Sequence, residues 1–136
     1  MAETPPRAPI RAMIRVMIID DASLVRLYYR DAIEAAGFAV EEALNGVEAL
    51  EKLLRQPVDL LIVDINMPQM DGLTFLRTLR RLSHPVAAIP ALVTSTEAAP
   101  QDRLAARAAG ANYYLVKPIA PEILRDFVAM LCGQPA

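Results

Sequence analysis

The sequence predicts an α/β fold: a parallel sheet with helices on both faces. Three observations carry this. Five short apolar runs alternate with five helix-length amphipathic segments between Arg15 and Leu131. The connections between them are short, as in βα units. Most of the runs are continuously hydrophobic, which suits strands covered on both sides rather than half-exposed ones. At 136 residues, 54% hydrophobic and 22% charged, the chain has the size of one domain. Folding at this length buries about two-thirds of the unfolded surface, enough for a full core.

The elements follow in order. Residues 1–13 hold Pro5, Pro6 and Pro9 and little periodicity, so they are expected to form a flexible tail. Residues 14–133 form the domain, and 134–136 a short C-terminal tail. Val16–Asp20 is the first strand. Ser23–Ala36 is a helix with Val25, Tyr28, Ala32, Ile33 and Ala36 near one face and Gly37 as its stop. Of the adjacent Tyr28 and Tyr29, one is expected to pack and the other to meet solvent. Ala39–Ala43 is a strand whose Glu41 and Glu42 suit an exposed edge. Asn45 is placed to cap Gly46–Arg55, with Val47, Leu50 and Leu54 inward and Pro57 beyond the end.

Leu60–Asp64 is the third strand. The loop after it holds Pro68 and Gly72, which fix a tight path. Asp71 is placed as N-cap of Gly72–Leu82, where Leu73, Leu76 and Leu79 recur at helical spacing. Met67 and Met70 read as packing. Ser83–Pro90 reads as a loop with a solvated His84. Ala91–Thr94 is the fourth strand, Gln101–Ala109 an alanine-rich helix ending at Gly110, and Tyr113–Val116 a fifth, buried strand. Pro121–Leu131 opens with proline at a tolerated first-turn position and repeats Ile123, Leu124, Phe127, Val128 and Leu131. No second domain is expected.

Composition excludes several functions. The net charge of −2 gives no chain-wide basic footprint, so direct DNA binding is not expected. One cysteine, Cys132, and one histidine, His84, allow neither a disulfide framework nor a histidine- or cysteine-rich metal centre. No apolar run approaches the ~20 residues of a membrane span, and no signal peptide is visible. A cytoplasmic location is the expectation.

Open parallel sheets bind ligands beyond the carboxyl ends of their strands. The first strand ends at Asp20-Asp21, the third at Asp64, the fourth at Thr94, and the fifth at Lys117. The second ends at Ala43-Leu44, without a reactive group. Neighbouring strands lie ~4.8 Å apart, so adjacency of the first and third would bring three carboxylates together. Their repulsion calls for a hard divalent ion with oxygen ligands, and magnesium fits. A carboxylate flanked by a metal, a lysine and a hydroxyl is arranged to attack phosphorus and hold an acyl phosphate. Arg77, Arg80, Arg81, Arg103 and Arg107 read as solvated helix faces, with contact to an acidic partner or anionic ligand as the sharper alternative.

Four stretches carry a family resemblance: Val16-Met17-Ile18-Ile19-Asp20-Asp21; Asp64-Ile65-Asn66-Met67-Pro68-Gln69-Met70-Asp71-Gly72; Val93-Thr94-Ser95; and Tyr114-Leu115-Val116-Lys117-Pro118. In this order and spacing, over residues 14–132, the sequence resembles response-regulator receiver domains, the single-domain chemotaxis-type members in particular. The resemblance implies a flavodoxin-like, doubly wound five-stranded sheet of order 2-1-3-4-5 with five helices. It implies Asp64 as phosphoacceptor, and Asp20, Asp21, Asp64 and the Asn66 carbonyl as magnesium ligands. Lys117 would contact the phosphate. Thr94 and Tyr114 would be the switch pair, and Asn66 and Thr96 would flank the attacking water. The Lys117–Pro118 bond is expected to be cis.

Implied partners are a histidine kinase or phosphotransfer protein and a downstream protein such as a flagellar motor switch. The alternatives are a phosphate sink or a relay shuttle. A monomer is expected, with dimerisation through the fourth helix–fifth strand–fifth helix face as the alternative. Two other classes compete: a haloacid-dehalogenase-type phosphohydrolase and a phosphorylation-independent binding module. The first needs Asp-x-Asp after strand one, where this chain has adjacent aspartates; the second is disfavoured by the intact cluster.

Overall fold

The computed structural model describes residues 13–133. The expected tails therefore lie outside the described residues, except for the exposed Met13. Among the described residues, five strands and five helices alternate: β1 (Arg15–Ile19), α1 (Ser23–Ala35), β2 (Ala39–Ala43), α2 (Gly46–Arg55), β3 (Leu60–Asp64), α3 (Gly72–Arg80), β4 (Ala91–Ser95), α4 (Pro100–Ala109), β5 (Tyr113–Val116) and α5 (Pro121–Leu131). All strand pairs are parallel, in the order β2-β1-β3-β4-β5.

Side chains alternate across the sheet and define two cores. Met17, Ile19, Leu61, Val63 and Val93 meet Leu53, Phe75, Leu76, Leu79 and Ala106 of α2, α3 and α4. Val16, Ile18, Leu60, Ile62 and Leu92 meet Tyr29, Ile33, Leu124 and Val128 of α1 and α5. β3 and β4 are buried throughout, as central parallel strands must be.

Helix ends follow the sequence closely. Asn45 accepts from the Glu48 N–H and Asp71 from the Thr74 N–H, both at 2.9 Å. Gly110 ends α4 at φ 113°, where a side chain would be strained.

The inward faces of three helices differ from the sequence reading. In α1 the buried stripe is Tyr29, Ala32 and Ile33. Tyr28 and Ala36 are exposed, and the Tyr28 hydroxyl donates to the Ile119 carbonyl at 3.0 Å. Two adjacent tyrosines offer two helix phases, and the surface bond of Tyr28 goes with the second. In α2 the buried positions are Gly46, Ala49 and Leu53, with Val47 and Leu54 exposed. The start of the helix approaches Met70 and α3 so closely that a Cβ on Gly46 would lie 2.8 Å from both Met70 Sδ and Phe75 Cβ, so its first turn sets small residues inward and Leu53 follows on the same face. In α5, Leu124, Val128 and Ala129 are buried while Ile123 is exposed.

β5, expected to be buried, is the outer strand beside β4, and Tyr113 at its start is exposed. Helix α3 stops at Arg80 rather than Leu82, and the Leu82 N–H bonds to the Leu79 carbonyl in a tight turn. Within the expected loop, Pro85–Ala88 forms a 3-10 turn in which exposed His84 accepts from the Val86 N–H.

Arg80 is not a solvated arginine. Its guanidinium donates to the carbonyls of Gly110, Ala87 and Ile89 and to Asn112 Oδ1. It ties the end of α3 to the segment before β4 and to the α4–β5 joint.

Candidate functional site

The parallel register brings the polar strand ends to one edge. Ile19 lies opposite Val63, and Asp64 opposite Thr94. Asp20 and Asp64 are 1% and 6% exposed, while Asp21 is exposed. One carboxylate oxygen from each of Asp20, Asp21 and Asp64 lies within 4.8 Å of the others.

Lys117 Nζ reaches into this cluster, 3.0 Å from Asp20 Oδ2 and 3.2 Å from Asp64 Oδ1. The Lys117–Pro118 bond that precedes α5 is cis. The Asp20 side chain also accepts from the Ala22 N–H at 2.9 Å. Arg26, paired with Glu42, donates to the Asp20 carbonyl at 2.7 Å. Both the backbone and the side chain of Asp20 are therefore held.

The path after β3 is equally constrained. The Gly72 N–H donates to the Ile65 carbonyl, which turns the chain back past Asp64. A Cβ on Gly72 would stand 2.3 Å from the Asp64 carbonyl oxygen, so only glycine fits. Asn66 lies on this loop, exposed, with its N–H on the side of the Asp64 carboxylate, where it favours the ionised form.

Burial raises the Asp64 pKa above the ordinary carboxylate value, and the Asp20 charge adds to the rise; Lys117 and the Asn66 N–H oppose it. Burial works to lower the Lys117 pKa, but its bond to Asp20 and the charges of Asp20 and Asp64 outweigh this, and the net shift is upward. With all groups ionised, three carboxylates face one ammonium, which leaves two negative charges. An all-oxygen donor set with excess negative charge fits a hard divalent cation.

Two residues at the site had not been singled out from sequence for a role there. Tyr29 is 3% exposed, and its phenol interacts with Thr94 and with the charges of Lys117, Asp20 and Asp64. Burial raises its pKa, Lys117 pulls it down, and the aspartates push it up. Only the rotational phase of α1 would have exposed this. Arg26 is the other; its separation by six residues from Asp20, one helical turn into α1, was the available signal.

Thr94 is fully buried, and its hydroxyl has no partner of full hydrogen-bond geometry. Thr96 is exposed and lines a groove of about 550 Å³ with Lys117, Leu24 and Tyr28. Tyr114 stands apart from the carboxylates. Its hydroxyl donates to the Glu97 carbonyl at 2.8 Å, and its ring lies under the Arg103 guanidinium, 5.0 Å from centroid to carbon. No described helix is long and apolar enough to cross a membrane.

Residues 16–129 match the family model of the response regulator receiver domain. The chain is 37% identical over 132 residues to the gliding motility regulatory protein of Myxococcus xanthus, covering 96% of this chain and 17% of that protein. It is 34% identical over 122 residues to chemotaxis protein CheY1 of Helicobacter pylori, covering 88% of this chain and 98% of that one. Among solved structures, chemotaxis protein CheY4 of Vibrio cholerae superposes with a TM-score of 0.82 at 35% identity, over 88% of this chain and 99% of that one. A putative response regulator from Chloroflexus aurantiacus gives 0.83 at 30% identity, over 90% and 100%. The chain thus spans a small part of the Myxococcus regulator and nearly all of the CheY proteins. Fold, acidic cluster and sequence agree: the chain belongs to the response-regulator receiver family of two-component signalling and is CheY-like among its members.

Proposed function

We propose that this receiver is a phosphorylation switch with Asp64 as its phosphoacceptor. The observation that carries this is the Lys117 ammonium bridging Asp20 and Asp64 within a cluster of three carboxylates. Asp20, Asp21, Asp64 and the Asn66 carbonyl would hold Mg2+, which supplies positive charge for the transferring oxygens.

A histidine kinase or phosphotransfer protein presents a phosphohistidine. Asp64 attacks the phosphorus in line; the P–N bond breaks, an O–P bond forms, and the imidazole leaves. Lys117 neutralises charge on the phosphoryl oxygens, and a bound cation would offset the remaining negative charge of the cluster. Thr94 turns its unpartnered hydroxyl to the phosphoryl group, and Tyr114 moves inward. The α4–β5–α5 face then changes shape for a downstream protein, of which a flagellar motor switch is one candidate. Water attack on phosphorus, flanked by Asn66 and Thr96, releases inorganic phosphate and resets the switch. The switch is assigned to the cytoplasm, acts as a monomer, and catalyses only its own phosphorylation and dephosphorylation.

The test is intact mass after incubation with Mg2+ and a small-molecule phosphodonor, with Asp64→Asn beside the wild type. One added phosphoryl group that requires both Mg2+ and Asp64 is expected. Absence of the adduct together with failure to bind beryllofluoride refutes the proposal and leaves a constitutive binding domain.

A further inference from the structure

Tyr29 is a core residue with a polar end. It belongs to the apolar cluster beneath α1 and α5 and is 3% exposed. Its phenol nevertheless ends beside Thr94, within the influence of Lys117, Asp20 and Asp64. An aliphatic side chain would bury as well without carrying a hydroxyl into the core, where an unpaired one is costly.

The sheet sets Thr94 on the same side. In β4, Ala91 and Val93 face α2, α3 and α4, whereas Leu92 faces α1 and α5. Side chains alternate along a strand, so Thr94 follows Leu92 onto the α1 side, where Tyr29 stands. The same alternation carries Asp64 with Ile62. Thr94 is fully buried, and its hydroxyl lacks a partner of full hydrogen-bond geometry. Buried hydroxyls are rarely left so.

Tyr29 is itself held in place. The Tyr28 hydroxyl bonds to the Ile119 carbonyl at 3.0 Å, which fixes the phase of α1. The Tyr28 ring meets the Tyr29 ring edge-on, with centroids 5.9 Å apart. Both rings line the groove that reaches Lys117. Burial keeps the Tyr29 proton on at neutral pH, so the phenol can donate. A threonine hydroxyl carries one proton and two acceptor lone pairs. If Thr94 accepts from Tyr29, its one proton is left for another oxygen.

We propose that Tyr29 is a positioning residue: its hydroxyl donates to Thr94 Oγ1 and thereby aims the single Thr94 proton at the phosphoryl group on Asp64. The inference rests on the switch reading above and adds a residue of α1 that acts through Thr94. Tyr29 itself takes part in no bond that forms or breaks.

The test is a double-substitution cycle of Tyr29→Phe and Thr94→Val, each of which removes a hydroxyl and keeps the bulk. Beryllofluoride loading with Mg2+ is titrated by fluorine NMR, and urea denaturation reads the fold of each variant separately. Tyr29→Phe is expected to weaken loading about fivefold, the worth of one ordinary hydrogen bond. Beside Thr94→Val the same change should weaken it less than about twofold, because the group it acts through is gone. Tyr28→Phe removes a hydroxyl from the same groove but not from Thr94, and should load as wild type does.

If the wild type does not load, the switch reading falls and takes the inference with it. If the wild type loads and Tyr29→Phe loads equally well, the inference alone is overturned. It is overturned as well if Tyr29→Phe weakens loading by the same factor with and without the Thr94 hydroxyl, or if Tyr28→Phe weakens it as much. Either result would mark a packing effect of α1.

Discussion

Gly72→Ala places one methyl group against the reacting strand. The new Cβ would stand 2.3 Å from the Asp64 carbonyl oxygen and 3.0 Å from both the Asp64 carbonyl carbon and Ile65 Cα. Ordinary contact begins near 3.4 Å, so about 1 Å must be found. All three atoms are backbone, so no flexible side chain can give way. The Ile65 N–H is bonded to the Thr94 carbonyl, so a shift of Asp64 also strains the β3–β4 ladder. Overpacking of this kind costs about 1–3 kcal/mol. A displacement of about 1 Å at the attacking group costs about 100-fold in rate. Chemical denaturation reads the first effect, and the time course of phosphoryl incorporation from a small phosphodonor, by intact mass, reads the second. Gly37→Ala is the control: its φ of 93° makes alanine strained, but open space surrounds it. It should cost about 1 kcal/mol and leave incorporation unchanged. Wild-type stability and wild-type incorporation in Gly72→Ala would refute the claim that this contact sets the position of Asp64.

Three further outcomes are expected. Because burial and Asp20 raise the Asp64 pKa, the ionised form is disfavoured in the folded state. Asp64→Asn should therefore stabilise the metal-free protein at neutral pH, and Mg2+ should raise its melting temperature less than that of wild type. Arg80→Ala strips donors from the carbonyls of Gly110, Ala87 and Ile89 and should cost about 2–4 kcal/mol in urea denaturation, with poor rescue by lysine. Asp71→Ala removes the α3 cap and should cost about 1 kcal/mol. Partial burial works against ionisation of Asp71, but the Thr74 N–H and hydroxyl outweigh it and lower its pKa. Its contribution is therefore present above the ordinary carboxylate pKa and lost as pH falls through the lowered value, so wild type and variant should converge in acid.

Element order, both side-chain caps and the edge position of β2 were legible because each rests on local chemistry: Gly and Pro at the breaks, Asn45 and Asp71 at the caps, adjacent glutamates on the exposed strand. The convergence of Asp20, Asp21, Asp64 and Lys117 was legible because a parallel sheet brings every strand's carboxyl end to one edge. The rotational phases of α1 and α2 were not. Neighbouring apolar residues such as Tyr28 and Tyr29, or Leu53 and Leu54, support more than one inward face. The choice depends on how closely another element approaches, as Met70 and Phe75 approach Gly46. The place of Tyr29 beside Thr94 was hidden for the same reason. The work of Arg80 was hidden because its acceptors are backbone carbonyls, which leave no mark in sequence.

The clamp made by Arg80 gives α4 unequal ends. Its C-terminal end, at Gly110, is fastened through the guanidinium to α3 and to the approach to β4. Its N-terminal end follows Ala99, which offers no side-chain cap, and an exposed segment from Thr96 to Ala98. The helix thus has its firm anchor far from the acidic cluster, and the end that follows Thr94 is held by lighter contacts, the Tyr114 hydroxyl on the Glu97 carbonyl and the Arg103 guanidinium on the Tyr114 ring. A rearrangement at the strand end would therefore tilt the helix about Gly110 rather than slide it as a whole.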